Sequence, residues 1–185
     1  MIKIALVAAF AAGLSFAASA QDVAPDGSKA VAIEPYVGVL GGYHSFDKQS
    51  EFGTSGARGK MDGALVSGVA GVNVPLGGLF VGVEGNATKG FKDIDWEYGV
   101  KGRAGFRAGT SGLLYLSAGY QWVNGRGKRG FGDRSDWMWG GGVELGAKDV
   151  GLNGFAEKRS PRLRLQVDTY DFDSIRPMAG VIFPF

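Results

Sequence analysis

The stretch Trp96-Glu97-Tyr98-Gly99-Val100-Lys101-Gly102-Arg103-Ala104-Gly105-Phe106-Arg107 decides the fold. Alternate residues divide it cleanly. Trp96, Tyr98, Val100, Gly102, Ala104 and Phe106 are apolar or small, whereas Glu97, Lys101, Arg103 and Arg107 share the other set with two glycines. A period of two is the signature of a β-strand with one greasy and one polar face. The greasy face starts and ends on an aromatic ring. A strand crossing a membrane takes about 9–11 residues, the span from Trp96 to Phe106.

The same division recurs on either side. Leu163, Leu165, Val167 and Thr169 alternate with Arg162, Arg164, Gln166, Asp168 and Tyr170. Trp137, Trp139, Gly141, Val143 and Leu145 alternate with Met138, Gly140, Gly142 and Glu144. Val81, Val83, Gly85 and Ala87 alternate with Phe80, Gly82, Glu84 and Asn86. The pattern predicts strands near Pro35–Phe46, Met61–Val74, Leu79–Thr88, Trp96–Phe106, Leu113–Val123, Asp136–Ala147, Pro161–Phe172 and Ile175–Phe185. The first two carry few charges, so the pattern leaves their facing open. Gly63 to Val83 lacks any charge over the length of a membrane helix, but Pro75-Leu76-Gly77-Gly78 at its middle reads as a tight turn. A hairpin is expected there.

A soluble antiparallel sheet also alternates, with its apolar face inward. Two features favour the inverse, a closed barrel with its apolar face toward lipid. Trp96, Trp122 and Trp137 fall at one end of their strands, with Trp139 just inside, while Phe106, Phe183 and Phe185 fall at the other. Aromatic girdles mark both rims of such barrels. The polar face also carries Glu84, Lys101, Arg103, Glu144, Arg162, Arg164 and Asp168, both signs at similar depth. Buried charges must be paired, and four bases with three acids in a narrow lumen can do that. The expected fold is all-β, an eight-stranded antiparallel up-and-down barrel. Glycines on both faces, drawn from 33 in the chain, help a closed sheet curve and make room for long interior side chains.

Connections should alternate between long external loops and short internal turns. Asp47–Lys60, Lys89–Asp95 and Asn124–Ser135 read as the long charged ones, and Pro75–Gly78 and Arg107–Gly112 as the short ones. Lys148–Ser160 is long for an inner turn, and Asp173-Ser174 is short for an outer loop.

The first twenty residues read as a removable export signal. Lys3 is followed by an apolar run to Phe16 and by Ala18-Ser19-Ala20, a small-x-small cleavage site. Residues 1–20 are therefore expected to be cleaved after Ala20, residues 21–33 to form a flexible lead-in, and residues 34–185 to form the barrel. The chain has no cysteine, which removes disulfides, zinc–thiolate sites and cysteine catalysis. Without Lys3 the 20 basic residues become 19 against 18 acidic ones, a balance that gives no nucleic-acid footprint.

The C-terminal run Met178-Ala179-Gly180-Val181-Ile182-Phe183-Pro184-Phe185 ends on an aromatic, with a second aromatic two back and a glycine five back. It resembles the terminal signal by which outer-membrane proteins engage the barrel-assembly machinery, with Gly180, Phe183 and Phe185 as its elements. Pro35-Tyr36-Val37-Gly38-Val39, Phe80-Val81-Gly82-Val83-Glu84 and Asp168-Thr169-Tyr170-Asp171-Phe172 are similar to the first, third and seventh strands of small outer-membrane barrels. That family is the opacity-protein and twenty-five-kilodalton outer-membrane-protein type, with an OmpA-like transmembrane barrel. The resemblance implies an outer-membrane location and a structural or surface-exposed role, such as envelope integrity or adhesion. Lipid and lipopolysaccharide would be its surroundings, and a host or surface ligand would meet the external loops. Fold alone does not settle function.

Chemistry is sparse. Some eight-stranded barrels modify lipid A with a serine nucleophile and a histidine base. The only histidine is His44, and its neighbour Ser45 points to the opposite face of a strand. His44 is read as a solvated rim residue, so no catalysis is expected. One histidine and no compact carboxylate cluster give no metal site. No cofactor is expected: Gly125-Arg126-Gly127-Lys128-Arg129-Gly130 matches a dinucleotide spacing, but no helix follows it. Arg126, Lys128 and Arg129 in this loop are instead candidates for contact with lipopolysaccharide phosphates. The competing readings are a narrow pore gated by Lys101 and Arg103 exchanging partners, a lipid-A-modifying barrel, and a soluble exported binder of the lipocalin kind.

Overall fold

The computed structural model describes residues 33–47, 59–109, 112–146 and 160–185. The expected signal and nearly all of the lead-in, within residues 1–32, lie outside the described residues. Eight strands run β1 Glu34–Phe46, β2 Asp62–Leu76, β3 Leu79–Gly90, β4 Ile94–Ala108, β5 Gly112–Gly125, β6 Asp133–Gly146, β7 Arg162–Tyr170 and β8 Ser174–Pro184. Each is antiparallel to the next, and β8 returns to pair with β1, closing the barrel. No edge is left over among the strands, so every ladder has a partner.

The uncharged stretch 63–83 is a hairpin. Leu76 pairs with Leu79 around Gly77-Gly78, and Gly77 takes the left-handed conformation (φ 70°) that a two-residue hairpin turn demands. Closure is made by the C-terminal run: Gly180 lies opposite Leu40 and Phe183 opposite Val37. Pro184 has no N–H to donate, but the next amide, Phe185, donates to the Pro35 carbonyl at 3.1 Å.

The connection expected across Lys89–Asp95 is shorter than the charges suggested. The β3–β4 ladder continues until Lys89 faces Trp96, and only Phe91-Lys92-Asp93 lie outside the strands. Lys89 and Asp95 are strand residues that neutralise each other at 2.6 Å, and the Lys89 ammonium sits 4.8 Å from the centre of the Trp96 ring. Charge proved a poor loop marker here because a close ion pair reduces its cost at a strand end. The β5–β6 connection shrinks to residues 126–132 for the same reason of ladder extension, and β7 joins β8 through Asp171-Phe172-Asp173. Asp171 and Phe172 both have positive φ (46° and 59°), the handedness of a tight hairpin turn. At the outer end the connections are thus unequal, two tight and two longer.

Candidate functional site

Parity along each ladder sends two different sets of side chains to the two sides of the wall. Outside stand Val39, Val66, Val83, Val100, Leu116 and Leu165, all exposed, with Leu116 at 75 %. Inside stand Glu84, Glu97, Lys101, Arg103, Glu144, Arg164, Asp168 and Arg176, all at most 3 % exposed. A soluble barrel has the opposite polarity. Water would pay for this exterior through exposure of a continuous apolar surface, whereas hydrocarbon accepts it. From Trp96 to Phe106 the outer face of β4 runs about 33 Å along the strand, or about 25 Å along the axis at a tilt of roughly 40°, the height of an apolar membrane band.

The aromatic residues lie where that band would end. Trp96, Trp122, Trp137 and Trp139 face outward in the half of the barrel near the 91–93, 126–132 and 171–173 connections, and all are exposed. Phe106, Phe183 and Phe185 are exposed at the opposite end. The outer aromatics concentrate on β4 to β7. Tyr98, Trp122, Tyr120, Trp137, Trp139 and Phe172 form an unbroken chain of rings whose centroids are 5.1 to 6.2 Å apart.

Inside, the charges form one connected network from end to end. Glu84 is its inner hub: it accepts from Tyr36 Oη at 2.7 Å and Arg164 Nη1 at 2.5 Å, with Arg103 Nη1 at 3.3 Å and Lys101 Nζ at 3.4 Å. Glu144 Oε1 accepts from Arg103 Nη2 at 2.6 Å and Arg164 Nη2 at 2.7 Å, while its Oε2 lies 3.5 Å from Arg162. Arg103 also stacks 3.9 Å from the Tyr115 ring centre. Lys101 reaches the other way to Asp168 at 3.6 Å, and Asp168 leads to Arg176 (3.6 Å) and on to Glu97 (3.2 Å). The seven sequence-derived candidates thus sit in one lumen, Arg162 at its partly open inner end.

Glu97, Arg176, Tyr36 and Tyr115 belong to the network but were absent from that set. Glu97 shares the polar parity of Lys101 and was visible on that ground. Arg176 falls in register with Met178 and Gly180 on β8, where Pro177 and an otherwise apolar run mask the alternation.

His44 requires correction. It is not solvated but fully buried. Parity on β1 puts Tyr36, Leu40 and His44 on the inner face, and the ring enters a polar niche at the outer end. Its Nδ1 lies 2.6 Å from Glu97 Oε1, its Nε2 lies 3.0 Å from Ser174 Oγ, and the Phe46 ring covers it at 4.0 Å. Ser174, His44 and Glu97 therefore make the hydroxyl–imidazole–carboxylate line of a serine hydrolase, formed with a serine far away in sequence rather than with Ser45. The surroundings do not equip it for catalysis. Ser174 Oγ is already held by the Tyr170 amide at 2.8 Å, and Arg176 draws on the Glu97 charge that would polarise the ring. A nucleophile needs an open approach and donors aimed at a developing oxyanion; here the partners tie β1, β4, β7 and β8 together. No group of three or more metal-ligating side chains occurs among the described residues.

Apolar side chains fill both ends of the lumen. Phe46, Met61, Ile94, Val123, Phe131 and Tyr170 pack at the outer mouth, and Phe80, Leu113 and Tyr115 near the inner one. On the rim, Lys92 donates to Asp62, and that bond raises the Lys92 ammonium above its usual range. Lys128 is exposed and Arg126 half-buried in the β5–β6 connection, with Arg129 in its single turn of 3-10 helix and exposed Arg134 just beyond.

No family model and no curated protein matches the sequence. Among solved structures, Neisserial surface protein A aligns with a TM-score of 0.49 at 15% identity, covering 83% of this chain and 97% of that one. Ail, the attachment invasion locus protein of Yersinia pestis, solved in complex with the heparin analogue sucrose octasulfate, aligns with a TM-score of 0.48 at 16% identity, again covering 83% and 97%.

Proposed function

We propose that this chain is a non-catalytic barrel of the bacterial outer membrane, exported by residues 1–20, inserted with the help of Gly180, Phe183 and Phe185, and acting through envelope integrity and its outward-facing connections. The observation that carries this reading is the inverted wall, with branched aliphatics outside and paired ions inside. All four tryptophans of the chain stand on the exterior, which gives the test. In vesicles of lipid brominated along the acyl chain, tryptophan emission should be strongly quenched, and iodide in the aqueous phase should quench it little. Emission indifferent to brominated lipid would remove the membrane assignment.

The cationic β5–β6 connection stands above the aromatic wall of β4 to β7, an arrangement suited to the phosphates of lipopolysaccharide. Replacing Arg126, Lys128 and Arg129 by glutamine together should weaken lipopolysaccharide binding several-fold, with the loss greatest at low salt. Equal binding by the variant would discard this contact.

A further inference from the structure

We propose that the two tight outer turns, Phe91-Lys92-Asp93 and Asp171-Phe172-Asp173, are paired membrane-surface anchors whose phenylalanine rings enter the acyl–headgroup boundary. The inference rests on the outer-membrane reading and adds to it how the outer face of the barrel is held. In the closed order of strands, two strands separate the β3–β4 hairpin from the β7–β8 hairpin in either direction. The two turns therefore stand across the barrel from each other.

Each ring lies on the lipid-facing side. Leu65 faces Gly90 in the β2–β3 ladder, and the next amide, Phe91, donates to the carbonyl of exposed Ala64 at 2.9 Å. Phe91 thus continues the outward row of β3, one step beyond the Lys89–Trp96 pair, and is 48 % exposed. Phe172 is 74 % exposed, and its ring stacks on outward-facing Trp139 with centroids 6.1 Å apart and planes 21° apart. In the longer β5–β6 connection, by contrast, Phe131 is buried among the residues of the outer plug.

Phe172 holds its place against the preference of the backbone. The Asp173 amide donates to the Tyr170 carbonyl at 3.0 Å, and Asp171 and Phe172 between them have φ of 46° and 59°. A turn of that hand asks for glycine at its second central position, where a bulky side chain is strained. Strain kept at an exposed ring points to a role for the ring, since the turn alone would be better served without it. Lys92 has φ of 69°, and after it Asp93 passes inward to become buried while Phe91 stays out.

Both turns are also fitted to lie at the boundary. Backbone groups that leave water need partners, and the two turns find them in the same pattern. The first and third amides donate: Phe91 to Ala64, Asp93 to Asp62 at 3.3 Å, Asp171 to Trp137 at 3.0 Å and Asp173 to Tyr170. The third carbonyl accepts: that of Asp93 from the Arg126 amide and that of Asp173 from the Asp47 amide, both at 2.8 Å. Exposed Lys92 and Asp171 place charge among the headgroups while the rings lie along the wall. Interfacial anchors limit the tilt of a membrane-spanning element, and two on opposite sides resist tilt toward either.

The chain lacks cysteine, so Phe91→Cys, Phe172→Cys, Val100→Cys and Lys128→Cys each carry one thiol for a nitroxide spin label. In phospholipid vesicles, collisions with oxygen report lipid, and collisions with a nickel chelate present on both sides report water. The oxygen-to-nickel ratio at positions 91 and 172 should exceed that at 128 by about threefold or more, and stay below that at 100 in the middle of the wall. A ratio at either turn equal to that at 128, with a high ratio at 100, would overturn the anchors and leave the membrane assignment standing. A low ratio at 100 would remove that assignment and the anchors with it. The native ring is tested from a neighbour. Phe172→Gly supplies the residue the turn prefers, yet it should raise nickel collisions at an Ile175→Cys label by about twofold or more. If the glycine variant loses its heat-dependent gel shift, Phe172→Asn, which also tolerates positive φ, takes its place. Unchanged collisions at 175 would overturn the anchoring role of the ring.

Discussion

Removing the Glu84 carboxylate is the sharpest probe of how this barrel is held together. Among the described residues, eight charged side chains are buried to 3 % exposure or less: Glu84, Glu97, Glu144 and Asp168 against Lys101, Arg103, Arg164 and Arg176. Their formal charges cancel. Glu84 meets three of the four cations and the Tyr36 hydroxyl. Glu84→Ala leaves the set at a net charge of one and takes the nearest counter-ion from Arg164, which is fully buried. Breaking a buried pair in this way costs about 3–5 kcal/mol. That lowers the folded-to-unfolded ratio by a factor of roughly 100 to several thousand, at about 1.4 kcal/mol per tenfold. Urea titration of the protein refolded in phospholipid vesicles, read from the fraction of heat-shiftable band, measures it. Glu84→Gln combined with Lys101→Met removes one charge of each sign and should recover about 2 kcal/mol of the loss, since the two charges desolvated together are then both gone. A Glu84→Ala cost below about 1 kcal/mol, typical of exposed ion pairs, would refute the claim that the lumen holds a buried, connected network. A double variant no more stable than Glu84→Gln alone would refute it too.

Two further measurements test particular side chains. Gly180→Ala should destabilise by about 3 kcal/mol or block assembly, because its new methyl group would collide with the Val39 carbonyl and lie 2.6 Å from Leu40 Cα across the β1–β8 seam; Gly41→Ala, one residue along that seam but facing outward with nothing closer than 3.9 Å, should stay within about 0.5 kcal/mol. The same urea titration separates them, and equal costs would mean the seam is not as close-packed as described. His44→Ala should cost about 2–4 kcal/mol, since it vacates a fully buried niche and strips one partner each from Glu97 and Ser174; a cost under about 0.5 kcal/mol would return the residue to the solvated rim.

Most of the architecture was legible because β-structure with one wet and one greasy face writes its period directly into the chain. Trp96 to Arg107 and Arg162 to Tyr170 show it without interruption, and there strand, facing and charge pairing could all be derived. Legibility failed where facing is carried by shape rather than charge. On β1 the inner face is Tyr36, Gly38, Leu40, Gly42 and His44, and the outer face is Val37, Val39, Gly41 and Tyr43. No polarity contrast distinguishes the two, so His44 could not be placed from the pattern. Its partners, Glu97 and Ser174, are 53 and 130 residues away in sequence. A histidine whose two nitrogens are satisfied by strands three and seven steps later leaves no local trace. The ends of strands were misjudged at Lys89 and Asp95 for a related reason: each charge looks like a loop marker until the ladder brings them together.

Glycine gives a reading of the facing that does not depend on charge at all. The lumen of an eight-stranded barrel has little room, so a long side chain from one strand must lie over a neighbour that has none. Tyr36 Oη lies over Gly71, and a methyl group there would come within 2.5 Å of it; Tyr115 Oη lies over Gly142 at 2.6 Å, Asn73 Oδ1 over Gly82 at 2.6 Å, and the Gln121 amide over Gly99. Each is a cross-strand pairing of a bulky polar residue with a glycine of the inner face. Outward-facing Gly41, Gly68 and Gly102 have no such partner, with nothing nearer than 3.8 Å. Lipid can fill the space above an outer glycine, but only protein can fill it inside. If the wall were turned the other way, the crowded glycines would be the outer ones and these tyrosines, glutamine and asparagine would stand in hydrocarbon with no partner. The packing of the smallest residue and the placing of the largest charges therefore select the same side of the sheet, by arguments that share no premise.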